Sequence, residues 1–225
     1  MAQVQHPSRA GIRRRTPQIG AIALASAPLL VLVVRAATGR LSANPIEDVT
    51  HVTGEWTLRL LILTLAITPL RRWLGWGWLA PLRRTLGLAA FGWACLHLLT
   101  WVALDQFFDW RAMLEDVLER RFITVGMAAF LCLVPLAITS TRAWMKRLGP
   151  RWIRLHKLAY VAALFGVLHY VWLAKADLLA PLVYAAILGL LLGSRLARLP
   201  RPGPAAVAGQ LHPPPPSPAD VSETS

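Results

Sequence analysis

Apolar residues run along this chain in blocks separated by short polar and basic stretches. At 1.5 Å rise per residue, about twenty apolar residues in a helix cross the ~30 Å hydrocarbon core of a bilayer. Six blocks approach that length and predict an all-α fold, a bundle of six transmembrane helices. They run from Ile19 to Val34, Val52 to Leu70, Thr85 to Leu104, Phe122 to Ser140, about Ile153 to Ala174, and about Leu178 to Gly193. The runs are continuous, without the amphipathic stripe of a half-buried soluble helix. The first is read as a retained span, against the alternative that it is the apolar region of a signal peptide. Pro69 and the pair Arg71–Arg72 close the second, Pro135 is placed to kink the fourth, and Pro181 falls in the first turn of the sixth. Glu55 and Arg59, four apart inside the second block, are spaced to pair on one helix face. Residues 105–121 read as an acidic loop, and no internal repeat is visible.

Composition agrees with a membrane protein. Of 225 residues, 56% are hydrophobic and 16% charged, and the mean hydropathy is +0.49. The net charge of +13 does not point to nucleic acid, because the basic residues sit between apolar runs, as in cytoplasmic loops. With six spans, the two termini and the second and fourth loops share one side, and that side holds 17 of the 24 Lys and Arg. The positive-inside rule then puts both termini in the cytoplasm. The expected organisation is a basic cytoplasmic N-terminus (1–17), a six-helix membrane domain (18–197), and a disordered proline-rich cytoplasmic tail (198–225) containing PPPPSP. Arg35 is expected to snorkel at the far end of the first span. Trp93, Trp101 and Phe107 are read as interface anchors.

Candidate chemistry rests on three histidines inside apolar runs: His97 in the third block, and His156 and His169, thirteen residues apart, in the fifth. Ionisable groups within a membrane mark function by default, and inward-facing imidazoles of a bundle are a common way to hold haem. The third and fifth blocks run the same way, which puts His97 and His169 at matching depth, able to sandwich one haem. At ~1.5 Å per residue His156 lies ~20 Å away, where a second haem would sit. Arg83, fourteen residues before His97, would project from nearly the same face. It is placed either to bond a propionate or to stand in a ligand position. On an ideal helix His156 and His169 point about 140° apart, so either side-chain reach or local unwinding must close the difference. Ala90, Ala94, Ala162 and Gly166 leave room for a flat macrocycle, or serve plain helix packing. Each ligating imidazole needs an acceptor for its other nitrogen, a backbone carbonyl or a hydroxyl. His6, His51 and His212 are read as solvated tail or loop residues. Cys95 and Cys132 lie in apolar runs as small buried hydrophobes. No C-x-x-C-H occurs, so haem would be held without a covalent bond, and no Cys/His cluster has zinc spacing.

Four blocks carry a resemblance: TGEWTLRLLILTLAITPLRR, RRTLGLAAFGWACLHLL, ITVGMAAFLCLVPLAITS and LGPRWIRLHKLAYVAALFGVLHYVW. Over about residues 50–195 the chain resembles the MsrQ (YedZ) family, haem-binding membrane subunits of bacterial periplasmic methionine-sulfoxide reductase systems, within the ferric-reductase-like transmembrane group. The resemblance implies one or two haems b, with ligand positions at His97, His156 and His169. The oxidases of the wider group carry a fourth histidine where this chain has Arg83. It also implies a bacterial inner-membrane location and a possible FMN. Electrons would come from the quinone pool or a cytosolic flavin reductase. The acceptor would be a periplasmic molybdopterin-containing subunit that reduces methionine sulfoxide in oxidised proteins. The chain would then be an electron-transfer subunit rather than the catalytic one. The alternative is a transmembrane ferric reductase or oxidase-type cytochrome b with another acceptor. A self-sufficient version would need a nicotinamide and flavin domain; no G-x-G-x-x-G follows a strand, and ~30 residues after the last span are too few for one. A cofactor-free transporter or scaffold is the third possibility.

Overall fold

The computed structural model describes residues 9–174 and 177–196. These form nine α-helices: α1 (Arg9–Ala37), α2 (Pro45–Leu74), α3 (Leu82–Thr100), α4 (Trp110–Glu119), α5 (Arg121–Ile138), α6 (Arg142–Leu148), α7 (Pro150–Leu155), α8 (Leu158–Leu173) and α9 (Leu179–Leu196). No strand occurs among the described residues. The proline-rich tail, and with it His6, Lys175 and His212, lies outside them.

Local chemistry sets the helix ends. Asn44 caps α2 by accepting from Glu47 N, its amide reaches the Glu47 carboxylate at 3.1 Å, and Pro45 takes the first helical position. Gly75 ends α2 at φ 69°, a left-handed cap that costs glycine least. α3 runs on through a π-helical turn, Trp101–Asp105. Thr141 caps α6, and Gly149 at φ 50° separates α6 from Pro150 at the start of α7.

The chain passes up and down between two ends. The α4 end gathers the close of α1 and α3 and the start of α2 and α5. The α6–α7 end gathers the close of α2, α5 and α9. The most extensive packing is within two antiparallel pairs, α2 with α3 and α5 with α8. Lipid is as apolar as leucine, so close packing and polar contacts, rather than hydrophobicity, must hold such helices together. Ala90, Ala162 and Ala163 accordingly have no exposed surface. α1 is peripheral; Trp93 Nε1 donates to Ala25 O at 2.9 Å, and Arg35 pairs with Asp48 at 2.7 Å rather than only snorkelling.

Among the described residues four stretches are long and apolar enough to cross a membrane: Pro17–Ala37, Gly77–Asp105, Arg121–Ile138 and Pro150–Leu173. α2 has the length, at 30 residues, but carries Glu47, Asp48, Glu55, Arg59, Arg71 and Arg72; α9 is apolar and shorter. The protein is therefore an all-helical, multi-pass membrane protein.

Three sequence expectations change. The acidic stretch 105–121 is not a plain loop, because it holds α4. Its capping Asp109 accepts from Arg111 N and Ala112 N, its Met113 is buried, and Trp110, Leu114 and Leu118 form an exposed apolar stripe. The fifth run is broken, since α7 ends and α8 begins around His156 and Lys157. There Lys157, Ala159 and Tyr160 N–H groups bond three residues back instead of four. Trp93 is not an interface anchor; it is 6% exposed and stacks on Trp56, with ring centroids 6.2 Å apart.

Candidate functional site

His97 on α3 and His169 on α8 stand beside each other near the α4 end, with ring centroids 6.2 Å apart and planes at 75°. Each ring is fixed through Nδ1. His97 Nδ1 lies 3.1 Å from Thr50 O and 3.3 Å from Thr53 Oγ1; His169 Nδ1 lies 2.7 Å from Phe122 O. A carbonyl only accepts, so both Nδ1 atoms carry the proton and both Nε2 atoms are bare. Two imidazoles bound to one metal from opposite sides, at ~2.0 Å per bond, hold their ring centres ~6 Å apart. The observed separation matches that spacing.

The two seats share one construction. Thr50 and Gly54 are four apart on α2; Phe122 and Gly126 are four apart on α5. In a helix the carbonyl of residue i is the partner of N–H i+4. Each histidine thus bonds a carbonyl whose helical partner position is a glycine, where the missing side chain lets the ring approach. A Cβ on Gly126 would come within 2.7 Å of His169 Nδ1, and one on Gly54 within 3.0 Å of His97 Cε1. Neither glycine is conspicuous in the sequence, because spacing along α2 or α5 does not reveal which neighbour presses on it.

A cavity of about 670 Å³ opens between the two helix pairs and is lined by both histidines. Its deeper wall is apolar, with Leu58, Leu61, Leu133 and Ala162. Ala94, Ala162 and Gly166 line it, whereas Ala90 is buried in helix packing instead. Two buried atoms of cavity-lining residues, Thr50 Oγ1 and Trp101 Nε1, have no hydrogen-bond partner among the described residues. Among those residues no three His, Cys, Asp or Glu converge on one point that would hold a bare ion. Two bare imidazoles beside an apolar cavity do fit an iron that a planar macrocycle already holds by four nitrogens.

His156 and Arg83 are not brought to this cavity. His156 sits at the α7–α8 break, its Nδ1 3.2 Å from Trp152 O and its ring stacked on Trp152 at 3.8 Å. Arg83 lies within electrostatic reach of it. The chain is locally unwound at His156, so the phase of one continuous helix does not relate His156 to His169. Near the same end Arg195 donates to Leu65 O at 2.6 Å and lies over the Tyr160 ring, and its buried Nε has no partner among the described residues.

Two features of the cavity rim are not evident in the sequence. His51 belongs to α2, not to a loop, and lines the mouth 3.9 Å from Glu47. Glu55 pairs with Arg59 at 2.5 Å, as their spacing suggests, but Arg59 also donates to Tyr184 at 2.9 Å. Glu55 and Tyr170 both line the cavity. This network ties α2 to α8 and α9.

The family description "Ferric reductase like transmembrane component" matches residues 53–167. The chain is 56% identical over 185 residues to the protein-methionine-sulfoxide reductase heme-binding subunit MsrQ of Rhodospirillum rubrum, covering 80% of this chain and 88% of that protein. It is 54% identical to the MsrQ of Herminiimonas arsenicoxydans, covering 69% of this chain and 72% of the relative. Against the MsrQ of Caulobacter vibrioides the identity is 46%, over 83% and 90%. No solved structure matches. The family match takes in α3 and α5 whole and most of α2 and α8, and at this identity and coverage the chain belongs to the MsrQ family of ferric-reductase-like transmembrane proteins.

Proposed function

We propose that the chain is the haem-carrying electron-transfer subunit of a methionine-sulfoxide reductase system, with His97 and His169 as the residues that would hold one haem b. The observation that carries this is the histidine pair itself, two rings from different helices at 6.2 Å, each with Nδ1 tied to a backbone carbonyl. When bound, haem supplies one-electron chemistry. The chain's own part is to present two oriented Nε2 atoms, to keep water out with the apolar wall, and to set the polarity of the cavity mouth. His156, with Arg83 near it, would hold a second haem if two are bound and serves helix packing if only one is.

The relatives' names support methionine-sulfoxide reductase as the destination of the electrons. The acceptor we propose is a periplasmic molybdopterin-containing subunit that repairs oxidised proteins. The donor is the quinone pool or a cytosolic flavin reductase, with FMN as a further cofactor. Six spans with both termini cytoplasmic in the inner membrane place the α4 end on the periplasmic side, in keeping with the basic residues of α6, α7 and their flanks. A reporter active only in the periplasm should work when fused after Asp109 and fail after Lys146; the reverse pattern would overturn the orientation.

The purified protein should show a low-spin Soret spectrum and co-purify with the periplasmic reductase. A preparation without Soret absorbance would refute the haem reading. The family match also supports a second reading, the same haem path serving another acceptor such as ferric iron. Haem without co-purification, and with reduction of ferric chelates, would favour it.

A further inference from the structure

α4 is tethered between two stretches able to cross the membrane. The apolar stretch before it closes at Asp105 and the one after it opens at Arg121. Residues 106–109 separate α4 from the first, and Arg120 alone from the second. At no more than ~3.6 Å per residue, tethers this short keep both ends of α4 close to the hydrocarbon boundary. Asp116 fastens it to both flanks, accepting from Gln106 at 2.8 Å and pairing with Arg120 at 3.0 Å.

The sides of α4 carry a second, independent signal. Each residue turns a helix by ~100°. Met113, 6% exposed, marks the side that faces the bundle. Leu114 is turned ~100° away from it and is 61% exposed, in one arc with Trp110 at 72% and Leu118 at 75%. Beyond that arc come Glu115 and Glu119, both exposed, ~100° and ~140° from Leu114. Bundle, apolar stripe and acids therefore divide the circumference into three sides. A helix lying on top of the bundle would turn its apolar side onto the protein. A helix lying against the flank of the bundle at the membrane surface has three surroundings: protein, lipid and water. Phe107 and Phe108, exposed just before α4 at φ 47° and 62°, add aromatic surface where interface anchors belong.

We propose that α4 is a membrane-surface helix, with Trp110, Leu114 and Leu118 set into the headgroup–acyl boundary and Glu115 and Glu119 facing water. The occupant of the stripe is lipid rather than a soluble protein, because the short tethers already place it there. Its charge agrees with insertion rather than attraction to anionic headgroups, since Glu115, Asp116 and Glu119 outnumber Arg111. The inference stands on the membrane architecture and does not need the haem reading. It gives α4 a bracing role, because Thr124 of α5 donates to Val117 O and the same start of α5 carries the Phe122 carbonyl that seats His169.

The test uses full-length protein in phosphatidylcholine nanodiscs, which leave both membrane faces open to solvent. Cys95→Ala and Cys132→Ala remove the two thiols of the chain. Leu114→Cys, Leu118→Cys or Glu119→Cys then carries one environment-sensitive fluorophore. Labels at 114 and 118 should emit to the blue of the label at 119. They should lose emission to a lipid with a doxyl quencher just below its headgroup and resist aqueous iodide, and the label at 119 should do the reverse. Iodide quenching at 114 as strong as at 119 overturns the proposal and leaves the stripe open to a soluble partner. Protection from both quenchers also overturns it, since protein would then cover the stripe. The unsubstituted chain gives a reading that does not depend on the variants folding. In the same nanodiscs, hydroxyl radicals generated in the water should leave Trp110 unmodified. Oxidation of Trp110 as fast as in the denatured chain would refute the lipid seat.

Discussion

The two ends of this helix bundle treat a histidine differently. At the α4 end, His97 and His169 each lean on the backbone of a neighbouring helix, with a carbonyl to hold Nδ1 and a glycine one turn on to make room. At the α6–α7 end, His156 bonds a carbonyl of its own helical turn, stacks on its own helix's Trp152, and has an arginine rather than a second histidine near it. A ring seated on another helix is fixed relative to the bundle. A ring held by its own helix is fixed only relative to that helix. The first arrangement fits a pair that must keep a set spacing, and the second tolerates exchange of the opposite group.

The largest effect should come from removing either member of the seated pair. His97→Ala and His169→Ala should each abolish the same low-spin haem signal and stop electron delivery to the periplasmic side, as read by absorbance and by reduction kinetics of purified variants. Full low-spin haem and normal transfer in His97→Ala would break the pairing.

The glycine seats come next. In Gly126→Ala the new Cβ would lie 2.7 Å from His169 Nδ1, so the ring must move off Phe122 O. Losing one buried hydrogen bond costs about 1–3 kcal/mol, enough to weaken haem retention about tenfold and to change the electron paramagnetic resonance g-values. Gly54→Ala should do less, because its nearest contact is 3.0 Å to a ring carbon and a shift of a few tenths of an ångström relieves it. A larger loss in Gly54→Ala than in Gly126→Ala would contradict the geometry of the two seats.

A smaller change is expected at the other end. His156→Ala should leave the His97–His169 signal intact and remove at most a second component in a redox titration. Loss of the whole low-spin signal in His156→Ala would show that the two ends are not independent. The smallest effect is expected from truncation after Arg198, with haem content and transfer unchanged; an inserted but haem-free product would make the tail structural.

Much of this architecture is legible in the chain alone. Membrane crossing is a matter of length and polarity, so unbroken apolar runs and the basic stretches between them predict the helices and their alternation. Depth is equally direct, since each residue advances a helix by a fixed rise. His97 and His169, on helices running the same way, therefore pair by position along the chain. The pairing of Glu55 with Arg59 is local for the same reason. α4 is hidden although Trp110, Leu114 and Leu118 repeat at helical spacing, because the acids between them read as a loop.

Rotation about the helix axis is another matter, and it belongs to the tertiary structure. A sequence shows that Trp93 is aromatic and near a span's end; only the packing of α1 and α2 on α3 turns it inward to Ala25 and Trp56. The break at His156 and Lys157 means that the phase of one continuous helix does not carry from His169 back to His156. Gly54 and Gly126 look like any small residues in apolar runs until a histidine from another helix is set against each. Spacing along one helix settles height and leaves facing undetermined, because facing depends on which neighbour the helix packs against, and that neighbour is distant in the chain.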